Sequence, residues 1–91
     1  MSGAKFPLGQ VVSTPGALEL LERSGVAPAQ FLGQHSRGDW GDVCAEDAKA
    51  NEHALLDGSR IFSVYMISGE KLWIITEADR ASTCLLLPSE Y

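Results

Sequence analysis

Cysteine is scarce in this 91-residue chain: Cys44 and Cys84 are the whole thiol complement, too few for the disulfide framework of a small secreted domain. Both are read as small buried hydrophobes without redox chemistry. Long hydrophobic runs are missing as well. No stretch approaches the ~20 apolar residues needed to span a bilayer, and the opening MSGAKFPLGQ lacks the apolar core of a signal peptide. The chain is therefore expected to be cytosolic, with no membrane association. Basic residues are few: seven Lys+Arg against twelve Asp+Glu leave a net charge of −5. Such a field repels nucleic-acid phosphates, so direct nucleic-acid binding is disfavoured and a basic or neutral protein is the expected partner. A Gly-rich phosphate loop before a helix and a Gly-x-Ser-x-Gly nucleophile turn are both absent. His35, Cys44 and His53 match no zinc-ligand spacing. No metal or cofactor is implied.

What remains is an ordinary globular composition. Apolar residues make up 45% and charged residues 21% of the chain, enough to drive a single core. Residues 1–91 are read as one domain, with 1–5 expected to be disordered. The segment PLGQVVST is a short β-like run, because Val11 and Val12 are β-branched. Thr14 can cap the helix that follows: Pro15 suits its first position, Ala17, Leu18 and Leu21 form an inward stripe, and Gly25 ends it. A second helix is expected from Pro28, placing Phe31, Leu32 and His35 on one face. The Gly-rich SRGDWGD then breaks the chain, and its Trp40 is expected to plug the edge of a core while its N–H finds an acceptor. A third helix from Val43 to Leu56 carries Cys44, Ala48 and Leu55 on a stripe that passes through Asn51, whose amide must then be hydrogen-bonded.

The last third reads as β. RIFSVYMI and KLWIIT flank SGEK, and a two-residue loop at Gly69-Glu70 would place Met66 opposite Trp73, Val64 opposite Ile75 and Phe62 opposite Glu77. One face then gathers Phe62, Val64, Met66, Trp73 and Ile75, a surface suited to receive the helices. The opposite face, with Ser63, Tyr65, Ile67, Leu72, Ile74 and Thr76, is only partly polar and would be either partly covered or a binding surface. A second hairpin with Asp79-Arg80 as its exposed loop continues the sheet, with Ile75 opposite Cys84 and Trp73 opposite Leu86. In that register Glu77 sits at the rim with Arg60 as its nearest cationic partner. The expected fold is α+β: a short N-terminal strand, two to three helices, then a three-stranded antiparallel meander packed on the helices.

Five blocks, FPLGQVVSTPGALELL, GDWGDV, ANEHAL, GSRIFSVY and WIITEADRASTCLLLPSEY, spread over residues 6 to 91, resemble a family of short proteins found on plasmids and integrative elements of proteobacteria. Its members are labelled plasmid-related protein or type I restriction endonuclease subunit M. The resemblance implies an accessory gene of a mobile element and carries no established activity. The restriction label conflicts with the chain itself. An adenine methyltransferase needs a Gly-rich cofactor turn and an Asn-Pro-Pro-aromatic loop, whereas Pro7, Pro15, Pro28 and Pro88 are never adjacent.

Two functional classes follow. The first is a small acidic accessory protein that binds another protein as its inhibitor or regulator; self-association through the outer sheet face or an edge strand is the alternative form. Its candidate surface residues are His35, Asp39 and Trp40 in the Gly-rich loop region, with Trp40 as anchor, and Arg60, Glu77 and Arg80 at the sheet rim. The second is an RNase-toxin-like enzyme using His35, Arg60, Tyr65, Thr76 and Glu77 as acid, base and phosphate clamp. The acidic charge opposes it.

Overall fold

The computed structural model of the chain describes residues 3–91. Its elements run β1 (Gln10–Ser13), α1 (Pro15–Ser24), α2 (Pro28–Ser36), α3 (Ala45–Asp57), β2 (Ile61–Ile67), β3 (Glu70–Thr76), β4 (Ser82–Leu86) and a 3-10 turn at Pro88–Glu90. The fold is α+β. The sheet has four strands rather than three, in the order β1-β4-β3-β2, with β1 parallel to β4 and the remaining pairs antiparallel. The N-terminal strand thus joins the meander at its far edge. Of the stretch 1–5, Met1 and Ser2 lie outside the described residues, and Lys5 donates its backbone N–H to Ser36 O at 2.7 Å.

Local chemistry fixes the helix ends. Thr14 accepts the Ala17 N–H through its hydroxyl, Pro15 occupies the first turn, and Gly25 closes α1 in the left-handed region at φ 68°. The buried residues of α1 are Ala17, Leu20 and Leu21, and Leu18 is 45% exposed. The inward stripe therefore follows i, i+3, i+4 from Ala17, which leaves Leu18 about 100° round the helix. α3 starts later than expected, with Cys44 as its N-cap, so Cys44 is exposed and Cys84 only half-buried. Neither is the buried hydrophobe the sequence suggests.

The first hairpin turns on Ser68-Gly69, not Gly69-Glu70: both residues have positive φ, 51° and 81°, the pattern of a type I′ loop. Ile67 pairs with Glu70, Val64 with Trp73 and Phe62 with Ile75. The shift is by two residues and leaves every side chain on its face. The second hairpin keeps the expected register, Ile75 with Cys84 and Trp73 with Leu86.

The covered face, however, is the other one. Ala17, Leu20, Leu21 and Phe31 pack on Tyr65, Ile67, Leu72, Ile74 and Leu85, so α1 and α2 cover the partly polar face; on the face of Phe62 and Trp73 those two rings are half-buried and Met66 is exposed, while Val64 and Ile75 are buried. A second cluster joins Phe6, Trp40, Ala54 and Ile61. The free edge of β2 is masked. Val64 donates its N–H to Trp40 O (3.1 Å) and accepts the Asp42 N–H, while the Asn51 amide both accepts the Phe62 N–H (3.0 Å) and donates to Phe62 O (2.6 Å). Gly41 permits this approach, because at φ 74° a Cβ there would lie 2.0 Å from Val64 O.

Candidate functional site

The six residues singled out in the sequence fall into separate places. His35 is fully buried. Its Nε2 lies 2.9 Å from Thr76 Oγ1, which lies 2.7 Å from Thr83 Oγ1, and its Nδ1 contacts Ser63 Oγ. Proton directions in this row follow from its far end. Thr83 Oγ1 donates to Leu8 O at 2.7 Å, so it accepts from Thr76; having spent its one proton, Thr76 accepts from His35 Nε2–H, and Nδ1 accepts the Ser63 hydroxyl. Each member donates once along a single line. Burial, and secondarily the positive charge of Arg80, lowers the His35 pKa from 6.5 to about 4, so the imidazole is neutral.

Trp40 is 6% exposed and donates Nε1–H to Glu52 at 3.0 Å. It is the core plug with a satisfied N–H that the sequence suggests and offers no surface anchor. Phe6 stacks on Trp40 and meets the His35 ring edge-on at 5.2 Å. Asp39 is exposed, its carboxylate accepting from Gln34 Nε2 at 2.8 Å and from Gly41 N–H. Its carbonyl accepts the Tyr65 hydroxyl, whose pKa burial pushes up to about 12.

Arg80 is not the solvent-facing tip that its turn suggests. With φ at 59° it folds back, donating to Ala54 O (3.0 Å) and Ser59 O (2.6 Å), and its guanidinium lies 5.6 Å from the centre of the Phe6 ring. It caps the carbonyl end of α3. Asp79 is exposed and accepts the Ala81 N–H. Glu77 is exposed and makes no ion pair with Arg60; among the described residues the ion pair is Arg23–Glu70, at 2.9 Å. The residues of an RNase-like site are not assembled. His35, Tyr65 and Thr76 lie beneath the helices, and strand alternation places Arg60 and Glu77 on the open side.

That open side holds the site the geometry builds. Phe62, Trp73 and Ile75 form the floor of a cleft of about 360 Å³, Asp47, Ala50 and Asn51 of α3 form one wall, and Arg60 and Tyr91 stand at the rim. α3 reaches both sides of the sheet edge: Ala54 packs with Ile61 on the covered face while its first turns border the cleft. Trp73 receives Phe62 edge-on at 5.1 Å and Tyr91 at 5.6 Å, so the three rings pack on one another in the favoured edge-to-face geometry and border the cleft together. Arg60 Nη2 donates to Tyr91 Oη at 3.2 Å. Tyr91 is positioned by the 3-10 turn, whose Glu90 carboxylate accepts from the Thr14 hydroxyl, Gly16 N–H (3.0 Å) and Leu87 N–H (3.0 Å). Those hydrogen bonds, Thr14's first, hold the Glu90 pKa below its ordinary value.

Of the six expected site residues, Arg60 alone lines this cleft. Phe62 and Trp73 carried a signal in the sequence, the apolar alternation of one sheet face, which the fold leaves outside the helix layer. Tyr91 and Asp47 carried none. The Cys84 thiol, whose pKa burial and then Glu90 and Glu77 raise, is not an activated nucleophile. Among the described residues no cluster of His, Cys, Asp and Glu could hold a metal ion, and no helix is long and apolar enough to cross a membrane. Comparison with protein-family models, with curated proteins and with solved structures finds no match to this chain.

Proposed function

We propose that the protein is a non-catalytic binding module whose open sheet face takes a segment of another protein, acting as its regulator or inhibitor. The observation that carries this reading is the aromatic cleft of Phe62, Trp73 and Tyr91, a half-open apolar site that α3 walls on one side and that α1 and α2, packed on the opposite face, leave uncovered. The net charge of −5 and the Asp47 carboxylate at the wall suit a segment that inserts one large apolar side chain and carries a basic residue beside it. Arg60, already held by Tyr91, fixes the rim rather than attracting a polyanion. The resemblance to short plasmid and integrative-element proteins supports placing this activity in an accessory gene of a bacterial mobile element.

The test is site-specific photo-crosslinking in the host cell, with a benzophenone side chain in place of Tyr91 or, as control, of the exposed Leu56 on α3. One protein captured from position 91, lost on Trp73→Gln and never captured from position 56, is the expected outcome. Equal capture from both positions, or capture indifferent to Trp73→Gln, overturns the proposal.

A further inference from the structure

The two edges of the sheet are treated differently. The β2 edge is masked by the Trp40–Asp42 loop and the Asn51 amide. Among the described residues nothing comparable covers β1. All four of its residues, Gln10 to Ser13, are exposed, and none is charged or a proline, so only its shortness, and no charge or proline, stands against pairing at this edge. Val11 and Val12 are each 43% exposed.

We infer that β1 pairs antiparallel with β1 of a second copy of this chain, about a two-fold axis through Val12, to give a continuous eight-stranded sheet. Gln10 and Thr14 donate their N–H groups inward to Ala81 O and Leu85 O. By strand alternation Val11 and Ser13 present their N–H and C=O groups outward. That outward set is symmetric about Val12, which is what an isologous contact requires. Val11 of each copy exchanges two hydrogen bonds with Ser13 of the other, and the two Val12 side chains meet at a non-hydrogen-bonded pair on the open face. A second copy fits better than a charged peptide. The chain's charge of −5 lies elsewhere, and two uncharged strands meet without repulsion. An axis perpendicular to the sheet also keeps both aromatic clefts on one side of the dimer.

Sedimentation equilibrium of the whole chain, at concentrations up to millimolar, tests the contact. The expected mass approaches twice the 9.8 kDa of one chain, and Val12→Lys, which brings two cations together at the axis, weakens the dimer at least tenfold while its circular dichroism stays native. In a Cys44→Ser, Cys84→Ser background, Val12→Cys gives an intermolecular disulfide and Val11→Cys, which faces Ser13 of the other copy, does not. A monomer at every concentration, a dimer indifferent to Val12→Lys, or crosslinking through position 11 in preference to position 12 overturns the proposal.

Discussion

Beneath the helices the sheet carries Ser63, Thr76 and Thr83 with no exposure at all, joined through an equally buried His35. On its other side it carries Phe62, Trp73 and a Met66 that is 47% exposed. The polar residues are inside and a good part of the apolar ones are out. Polarity alone did not assign the two faces: the buried polar groups are hydrogen-bonded throughout, beside the apolar stripe of α1. Three hydroxyls and one imidazole form a row in which every proton has an acceptor, ending on the Leu8 carbonyl, and a satisfied row loses little on burial. The open face has no such closure. Its rings border a cleft of about 360 Å³, and a cleft is something a partner can fill.

The sharpest way to break this contrast is to interrupt the row. His35→Leu leaves the Ser63 hydroxyl without its acceptor and is expected to destabilise the fold by about 3 kcal/mol or more, measured by urea denaturation. The same residue sets an acid sensitivity. Its folded pKa, about 4, lies below the ordinary 6.5, so between those values the unfolded chain binds a proton that the folded chain refuses. Stability is then full above pH 6.5 and falls by about 3 kcal/mol as the pH drops toward 4; in His35→Leu that share of the fall should vanish, leaving the loss from carboxylates such as Glu90, whose pKa is also held low. A wild-type profile flat over this window would mean that the row admits the charge.

Second in size is Asn51→Ala, which removes both hydrogen bonds to Phe62 and unmasks the β2 edge. A loss of about 2 kcal/mol and concentration-dependent association are expected. The smallest effect should come from the open face. Trp73→Gln is expected to change stability by about 1 kcal/mol or less while abolishing the crosslink from position 91. If Trp73→Gln unfolded the chain and His35→Leu did not, the roles given to the two faces would be reversed.

Much of the architecture was legible because its signals are local. Thr14, Pro15 and Gly25 mark α1 by backbone chemistry that needs no tertiary context, and Asn51 announced its hydrogen bonds by falling on an apolar stripe. The pairing of β3 with β4 followed from the short turn between them. What could not be read was long-range. The two faces of the meander are nearly equal in apolar content, and what covers one of them, the apolar stripe of α1 and the row through His35 of α2, comes from residues far away in sequence. Arg80 looked like a turn residue because two of its acceptors, Ala54 O and Ser59 O, lie in α3 and just beyond its end. The cleft was half legible: Phe62, Trp73 and Arg60 were visible, but Tyr91 joins them only because Glu90 ties the last turn to the start of α1.

The parallel pairing of Gln10 with Ser82 joins the first strand of the chain to the last. Ring closure over so many residues is slow, and contacts of such separation form late in folding. The first strand therefore leaves the ribosome long before its complement exists, and stays unpaired until Ser82–Leu86 has been synthesised. On a polysome, where neighbouring nascent chains present the same uncharged strand, the waiting time of β1 becomes the interval in which strand exchange between copies competes with correct closure.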